Sequence, residues 1–198
     1  MERLTRIEAI AAPIAQSNLD TDQIIPARFL KKPREQGFGQ YLFYDLRFQP
    51  DGAENADFIL NQAPYRSASI LVAAQNFGCG SSRESAVWAL YDYGFRAIIA
   101  PSFGDIFSNN SLKNGLLPIV LPDDVVASLL GSLRERPGQA VSVDLQTQIV
   151  TLPDRATHQF EIDPFAKECL LGGLDELEYT LSRMDEIVRF EKVYQREI

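Results

Sequence analysis

SASILVAAQ (67–75) runs into NFGCGSSRE (76–84), SAVWALYDYG (85–94) and FRAIIAP (95–101), and the hydrophobic period changes at each join. The first segment is a near-continuous apolar run of strand length, the pattern of a strand covered on both faces. From Glu84 to Tyr93 the apolar positions fall at helical spacing, through Ala86, Leu90 and Tyr93 or through Val87, Leu90 and Gly94. FRAIIAP is a second short apolar strand, stopped by Pro101. Strand, loop, helix and strand make a βαβ unit with a right-handed crossover, which places the chain in the α/β class.

The loop inside this unit concentrates flexible and polar chemistry. A helix start leaves backbone N–H groups unsatisfied and carries partial positive charge, so a strand-to-helix loop is a natural anion site. Gly78 and Gly80 let main chain approach a ligand, Ser81 and Ser82 add hydroxyls, and Arg83 adds a two-pronged donor that matches a carboxylate or phosphate. A purely structural alternative is a capping box, in which Ser81 caps the helix and Glu84 bonds back to the cap. It accounts for two residues and leaves the glycines, Ser82 and Arg83 unexplained. Nucleotide patterns fit poorly: Arg83 stands where the dinucleotide fingerprint has its third glycine, and no Gly-Lys-Ser/Thr follows. A small carboxylic acid is the ligand class that fits best.

Outward from this unit the signals differ in sharpness. Residues 5 to 15, TRIEAIAAPIA, read as an opening strand interrupted at Pro13, followed by the turn QSNLDTD, where Asp20 and Asp22 either make turns or face a site. Residues 33 to 64 mix glycines, prolines and aromatics without a stable period, the signature of a mobile loop or lid within a single 1–198 domain. Tyr41, Phe43, Tyr44 and Phe48 would close over an apolar part of a ligand, meet a partner subunit, or enter the core of short regular elements. C-terminal to Pro101, SFGDIFSNNSLKNG reads as a helix capped by Ser102 and stopped by Gly115, with the SNN run at 108–110 as turn or helix-end chemistry. LLPIVL is a third strand and DDVVASLLGSLRER an amphipathic helix whose opening acids suit its dipole. AVSVDLQTQIVTLPDRATHQFEID alternates as two or three strands of a meander. DPFAKECLLGGL ends as a helix at Gly172 and Gly173, and SRMDEIVRFEKVYQREI is a charged amphipathic helix with Met184, Ile187, Val188 and Val193 available for packing.

Composition removes several function classes. With 198 residues, 45% of them hydrophobic, the chain can bury a substantial core. Its formal net charge of −8, without a cluster of Lys and Arg, gives no basis for tracking a phosphate backbone, so nucleic acid is not an expected partner. No run reaches about 18 apolar residues, which points away from a membrane and towards the cytoplasm. Cys79 and Cys169 form no Cys-x-x-Cys pair, so no metal site is expected; Cys79 reads as a small filler beside the loop. His158 is the only histidine and lies in an alternating segment, which argues against a Ser-His-Asp triad.

NFGCGSSRE, SNLDTDQIIPARFL (17–30), YLFYDLRF (41–48) and RAIIAPSFGDIFSNNSLKNGLLPI (96–119) occur in an order that, over nearly the whole chain, resembles the small-subunit family of 3-isopropylmalate dehydratases, within the aconitase superfamily. The resemblance implies a swivelling β/β/α three-layer domain with mixed parallel and antiparallel strands. It implies a hydro-lyase subunit of leucine biosynthesis, active with a separate large subunit that carries a [4Fe-4S] cluster, so that this chain binds no cofactor itself. Two isolated cysteines agree with that, since such a cluster takes three or four. Carried over residue by residue, Ser81 is the base that removes a proton beside the substrate carboxylate, Ser82 and Arg83 bind carboxylate, and Asp22 is an active-site aspartate. Ser85 stands where the family usually has histidine. This keeps open another branched or extended malate (homocitrate, a methylmalate or a dimethylmalate) and a non-catalytic carboxylate-binding subunit.

Overall fold

The computed structural model describes residues 1–194; the final four, which the tail helix was expected to include, lie outside the described residues. Seven strands form one mixed sheet in the order β4-β3-β2-β1-β5-β6-β7. Strands β1 (Arg6–Ile14), β2 (Ile70–Ala73), β3 (Ala97–Ala100) and β4 (Leu117–Val120) run parallel, and β5 (Ala140–Asp144), β6 (Ile149–Thr151) and β7 (Thr157–Gln159) continue antiparallel. The expected combination of parallel and antiparallel strands is the one present.

β1 belongs to both halves. Its Arg6–Ile10 portion pairs with β5, and Ala11–Ile14 pairs with β2. Pro13 does not interrupt the strand as expected. The Ala11 N–H donates towards the β5 side, to the Gln139 carbonyl at 3.1 Å. Two residues on, the missing Pro13 N–H faces that same side, where β5 has already ended, so no ladder bond is lost.

The alternation of side chains across the parallel strands divides the core in two. Leu71, Ala73, Ile98 and Ala100 face α3 (Glu84–Tyr93), which buries Ala86, Val87, Ala89 and Leu90. Ile70, Val72, Ile99 and Ile119 face α5 (Asp123–Glu135), whose Val126, Leu129 and Leu133 meet them and the inner side chains Val141, Val143 and Val150 of the antiparallel half. Asp123 and Asp124 open α5 and Arg134 lies in its last turn, as its dipole favours.

Residues 33–64 contain single 3-10 turns and the one-turn helix α2 (Tyr44–Arg47). Phe38, Leu42, Phe43 and Leu60 from this segment are buried in the core beside α3. The aromatic group therefore divides: Phe43 goes inside, whereas Tyr41 stacks on Phe29 at 4.4 Å and Tyr44 lies 4.8 Å from the same ring. Asp92 of α3 accepts from the Phe38 N–H at 2.7 Å and pairs with Arg34. Arg47 is buried, stacked 4.9 Å from the Tyr93 ring and donating to the Leu42 carbonyl at 3.3 Å, and this burial pushes its guanidinium below the usual arginine pKa.

Helix α4 (Asp105–Lys113) starts two residues later than its expected cap: Gly104 is the N-cap, and Ser102 Oγ instead accepts from the Asn76 N–H at 2.9 Å. Ser108, Asn109 and Asn110 are mid-helix residues and not a turn, because Gly115, at φ +82, ends the helix only after Asn114. At the C-terminal end, α6 (Pro164–Gly172) closes at Gly173, and α7 (Glu176–Ser182) and α8 (Met184–Tyr194) follow. Of Met184, Ile187, Val188 and Val193, expected to pack, Ile187 is half-buried and the other three are exposed, and no described residue of α7 or α8 is buried.

Candidate active site

Three loops leave the carboxyl ends of the parallel strands β1, β2 and β3 and meet at one corner, the location where open α/β sheets place ligands. The first holds Asn18–Asp22, the second Asn76–Arg83 and the third Ser102–Gly104. Main-chain bonds join them: Gly78 N–H to the Leu19 carbonyl at 2.8 Å, Thr21 N–H to Cys79 at 3.0 Å, Phe77 N–H to Ser102 at 3.1 Å and Gly104 N–H to Phe77 at 2.9 Å. The Asn76 and Asn18 side chains bond at 2.8 Å. The corner is thus stitched from residues distant in sequence.

Two glycines are required by this geometry. Gly78 has φ +70, and a Cβ there would lie 2.3 Å from Cγ of the buried Phe107. Gly80 has φ +88, with Asp20 alongside. Their positive φ values curl the loop so that Ser81 and Ser82 both emerge exposed ahead of α3.

The capping-box alternative fails. The N-cap of α3 is Arg83, two residues beyond Ser81, and no side chain caps the helix. Glu84 turns away to accept from Asn114 Nδ2 at 2.9 Å, and Asn114 in turn accepts from Trp88 Nε1 at 2.9 Å. Placing the boundary after Ser82 leaves the Ser81 hydroxyl outside the helix. Ser85 lies in the first turn of α3, half-buried.

Arg83 forms an ion pair with Asp22, and only 17% of its side chain is exposed against 53% for Asp22. The structure therefore brings together all four expected site residues, Ser81, Ser82, Arg83 and Asp22. Asp20 is occupied as the cap of the helical turn α1 (Thr21–Ile24), accepting from the Gln23 N–H at 2.8 Å. A shallow cavity of about 190 Å³ opens beside Ser81, lined also by Gly78, Gly80, Gly104, Asp105 and Ile106. Here the amino end of α4 joins that of α3, so two helix dipoles favour negative charge, with the Asp105 carboxylate opposing them at the rim.

Two contributors were not legible beforehand. Thr21, between the two aspartates, donates its hydroxyl to the Ser81 carbonyl at 2.9 Å; the carboxylates on either side masked it. The start of α4 enters the cavity through the Gly78–Phe107 contact, for which sequence carries no signal beyond Gly104. His158 is on β7, four strands from β2 and so about 19 Å away at ordinary strand spacing, and takes no part in the corner. Cys169 lies near a separate apolar cavity of about 170 Å³ at the far end of α4, and burial, aided by Glu176 and Glu168, pushes its thiol pKa up. Among the described residues no three His, Cys, Asp or Glu side chains come together as metal ligands, and no helix is long and apolar enough to cross a membrane.

Comparison with known proteins places this geometry in a family. Residues 1–124 match the aconitase C-terminal domain, and residues 127–164 match the model described as LeuD_N. The 3-isopropylmalate dehydratase small subunit of Paramagnetospirillum magneticum is 52% identical over 97% of this chain and 96% of its own length. That of Gluconacetobacter diazotrophicus is 51% identical over 99% of this chain and 95% of its own. A crystal structure of 3-isopropylmalate dehydratase (LeuD) from Methanocaldococcus jannaschii superposes with a TM-score of 0.68 at 26% identity, covering 94% of this chain and 99% of that one.

Proposed function

From the premise that this chain belongs to the family of 3-isopropylmalate dehydratase small subunits, we propose that it supplies the proton-transfer corner of a hydro-lyase that interconverts 2-isopropylmalate and 3-isopropylmalate in leucine biosynthesis. The observation that carries the reading is the convergence of Ser81, Ser82, Arg83 and Asp22 ahead of the amino end of α3, with Ser81 also lining the cavity at the start of α4.

Arg83 receives a substrate carboxylate. Its side chain is largely buried and already held by one carboxylate, that of Asp22, so the position is shaped for an anion in two-pronged contact. Ser82 donates its hydroxyl to the same carboxylate, and Asp22 keeps the guanidinium aimed into the corner while its exposed edge accepts from the substrate hydroxyl.

Ser81 takes the proton from the carbon beside the carboxylate during dehydration and returns it to the double bond during rehydration, with water leaving and re-entering at adjacent carbons. A free serine hydroxyl is far too weak a base for this, so its alkoxide needs strong electrostatic support. Two helix amino ends, the backbone N–H groups around Gly80 and Ser82, and the Arg83 charge provide it. The hydroxyl is free of the helix cap and points from an exposed loop position, as a proton acceptor requires.

A [4Fe-4S] cluster belongs in this reading to the large subunit, where it would polarise the substrate hydroxyl and carboxylate and so acidify the neighbouring C–H. The described residues of this chain offer no set of three cluster ligands, and its two cysteines are at separate places. The naming of the relatives as small subunits implies a large-subunit partner.

The test is to assemble the chain with a cluster-bearing large subunit and assay branched and extended malates. Ser81→Ala should abolish turnover, by at least about 1,000-fold, while substrate still protects the complex against heating. Turnover at the parental rate would remove Ser81 as the base. A preference for homocitrate or a methylmalate over 2-isopropylmalate would redirect the substrate assignment and leave the chemistry in place.

A further inference from the structure

We propose that Thr21 is a positioning residue for Ser81, setting the Cys79–Gly80 and Ser81–Ser82 peptide units; the inference rests on Ser81 as the proton acceptor. Thr21 is 2% exposed, between the fully buried Leu19 and Ile24. A hydroxyl in such surroundings costs free energy unless it is bonded. Its Oγ1 donates to the Ser81 carbonyl at 2.9 Å, and its N–H donates to the Cys79 carbonyl at 3.0 Å. Both donors of this residue are therefore spent on one three-residue stretch centred on Gly80.

The consequence follows from peptide geometry. Every peptide bond described is trans, so the N–H of each unit points opposite to its C=O. Turning the Cys79 carbonyl towards Thr21 turns the Gly80 N–H away from it, and turning the Ser81 carbonyl does the same for the Ser82 N–H. No acceptor among the described residues takes either N–H. Both donors therefore stay available on the open side, where negative charge develops on Ser81 and on the bound acid. Ser81 and Ser82 are exposed, and among the described residues the Ser81 carbonyl has no other partner than Thr21. Without this bond the peptide between Ser81 and Ser82 is free to turn and the Ser82 N–H leaves the site.

Thr21 touches no substrate in this account; it acts through the loop. In the assembled enzyme, Thr21→Val should lower kcat by about 10- to 100-fold with KM changed by less than about threefold, because an orientation realised in the transition state is lost and ground-state binding through Arg83 is kept. Thr21→Ser, which keeps the hydroxyl, should stay within about threefold of the parent. Sedimentation of each variant with the large subunit establishes that the complexes compared are intact. Should the valine variant not fold, Thr21→Ala, which leaves space in place of a mismatched methyl, carries the same comparison. Parental kcat in the hydroxyl-free variant, beside an inactive Ser81→Ala, overturns the role of Thr21 alone. A serine variant as slow as the valine one also overturns it, since the methyl would then be what matters. An active Ser81→Ala overturns the reading underneath.

Discussion

Gly78→Ala tests the corner most directly, because two separate penalties act at one position. An L-residue held at φ +70 costs roughly 1–2 kcal/mol. The added Cβ also meets the Phe107 ring, 2.3 Å from Cγ and 2.7 Å from both Cδ atoms, far inside van der Waals contact. Phe107 is buried and packs edge-on against Phe77 at 5.4 Å, so it has no solvent to retreat into. Overpacking of this kind costs about 1–3 kcal/mol, which brings the expected destabilisation to about 2–5 kcal/mol. Gly37→Ala is the control: its φ is also +70, but a Cβ there meets nothing within 4 Å, so only the backbone penalty applies. Urea unfolding of both variants, followed by far-ultraviolet circular dichroism, measures the difference. Adding Phe107→Ala to each, which removes Cγ and both Cδ atoms, should relieve the clash in Gly78→Ala and relieve nothing in Gly37→Ala, a coupling that a double-mutant cycle isolates. Equal losses for the two alanine variants, or no coupling with Phe107, would refute the claim that Gly78 is fixed by the start of α4.

Three further outcomes are expected. Desolvation raises the pKa of Tyr93, so the folded state keeps its phenolic proton after the unfolded chain loses it near pH 10; stability is complete below that pH and falls as pH rises further. Tyr93→Phe should reduce this alkaline loss in urea unfolding at pH 9 to 11, leaving the shares due to Tyr65 and Cys169, whose pKa values burial also raises. With a thiol reagent at pH 8, half-buried Cys79 should react in the native chain and Cys169 only on unfolding; two fast native thiols would contradict the buried, protonated state of Cys169. Leu181→Glu should change the unfolding free energy of the isolated chain by no more than about 0.5 kcal/mol, since this side chain is 56% exposed; a loss above about 2 kcal/mol would show that Leu181 itself packs on something within the chain.

Much of this architecture is local and could be read from the order of residues. The strand–loop–helix unit at Ile70–Ala100, the helix from Asp123 and the alternating strands from Ala140 all follow from period and composition. The features that were misplaced depend on neighbours remote in sequence. Whether Pro13 breaks β1 is decided by where β5 begins, more than a hundred residues later. Whether Ser81 caps α3 is decided by how Thr21 and Asp22 hold the loop, which delays the helix to Glu84. Ser102 was expected to start α4, but Asn76 claims its hydroxyl. At the site itself, the glycines, hydroxyls and arginine before a helix pointed to one loop, and the structure brings that loop together with Asp22. Thr21 carried no such signal, because a buried hydroxyl is recognisable only once its acceptor is known.

The division of β1 between two partners bears on how the chain is made. Arg6–Ile10 finds its partner only when Ala140–Asp144 has been synthesised, whereas Ala11–Ile14 can dock on Ile70–Ala73 much sooner. A nascent chain released before residue 140 therefore carries an unfilled strand edge beside its finished parallel half, and such an edge invites pairing with other chains. Closing so long a loop is also slow. The smallest fragment able to fold without aggregating thus extends past Asp144, although every residue of the three-loop corner has left the ribosome by Phe107.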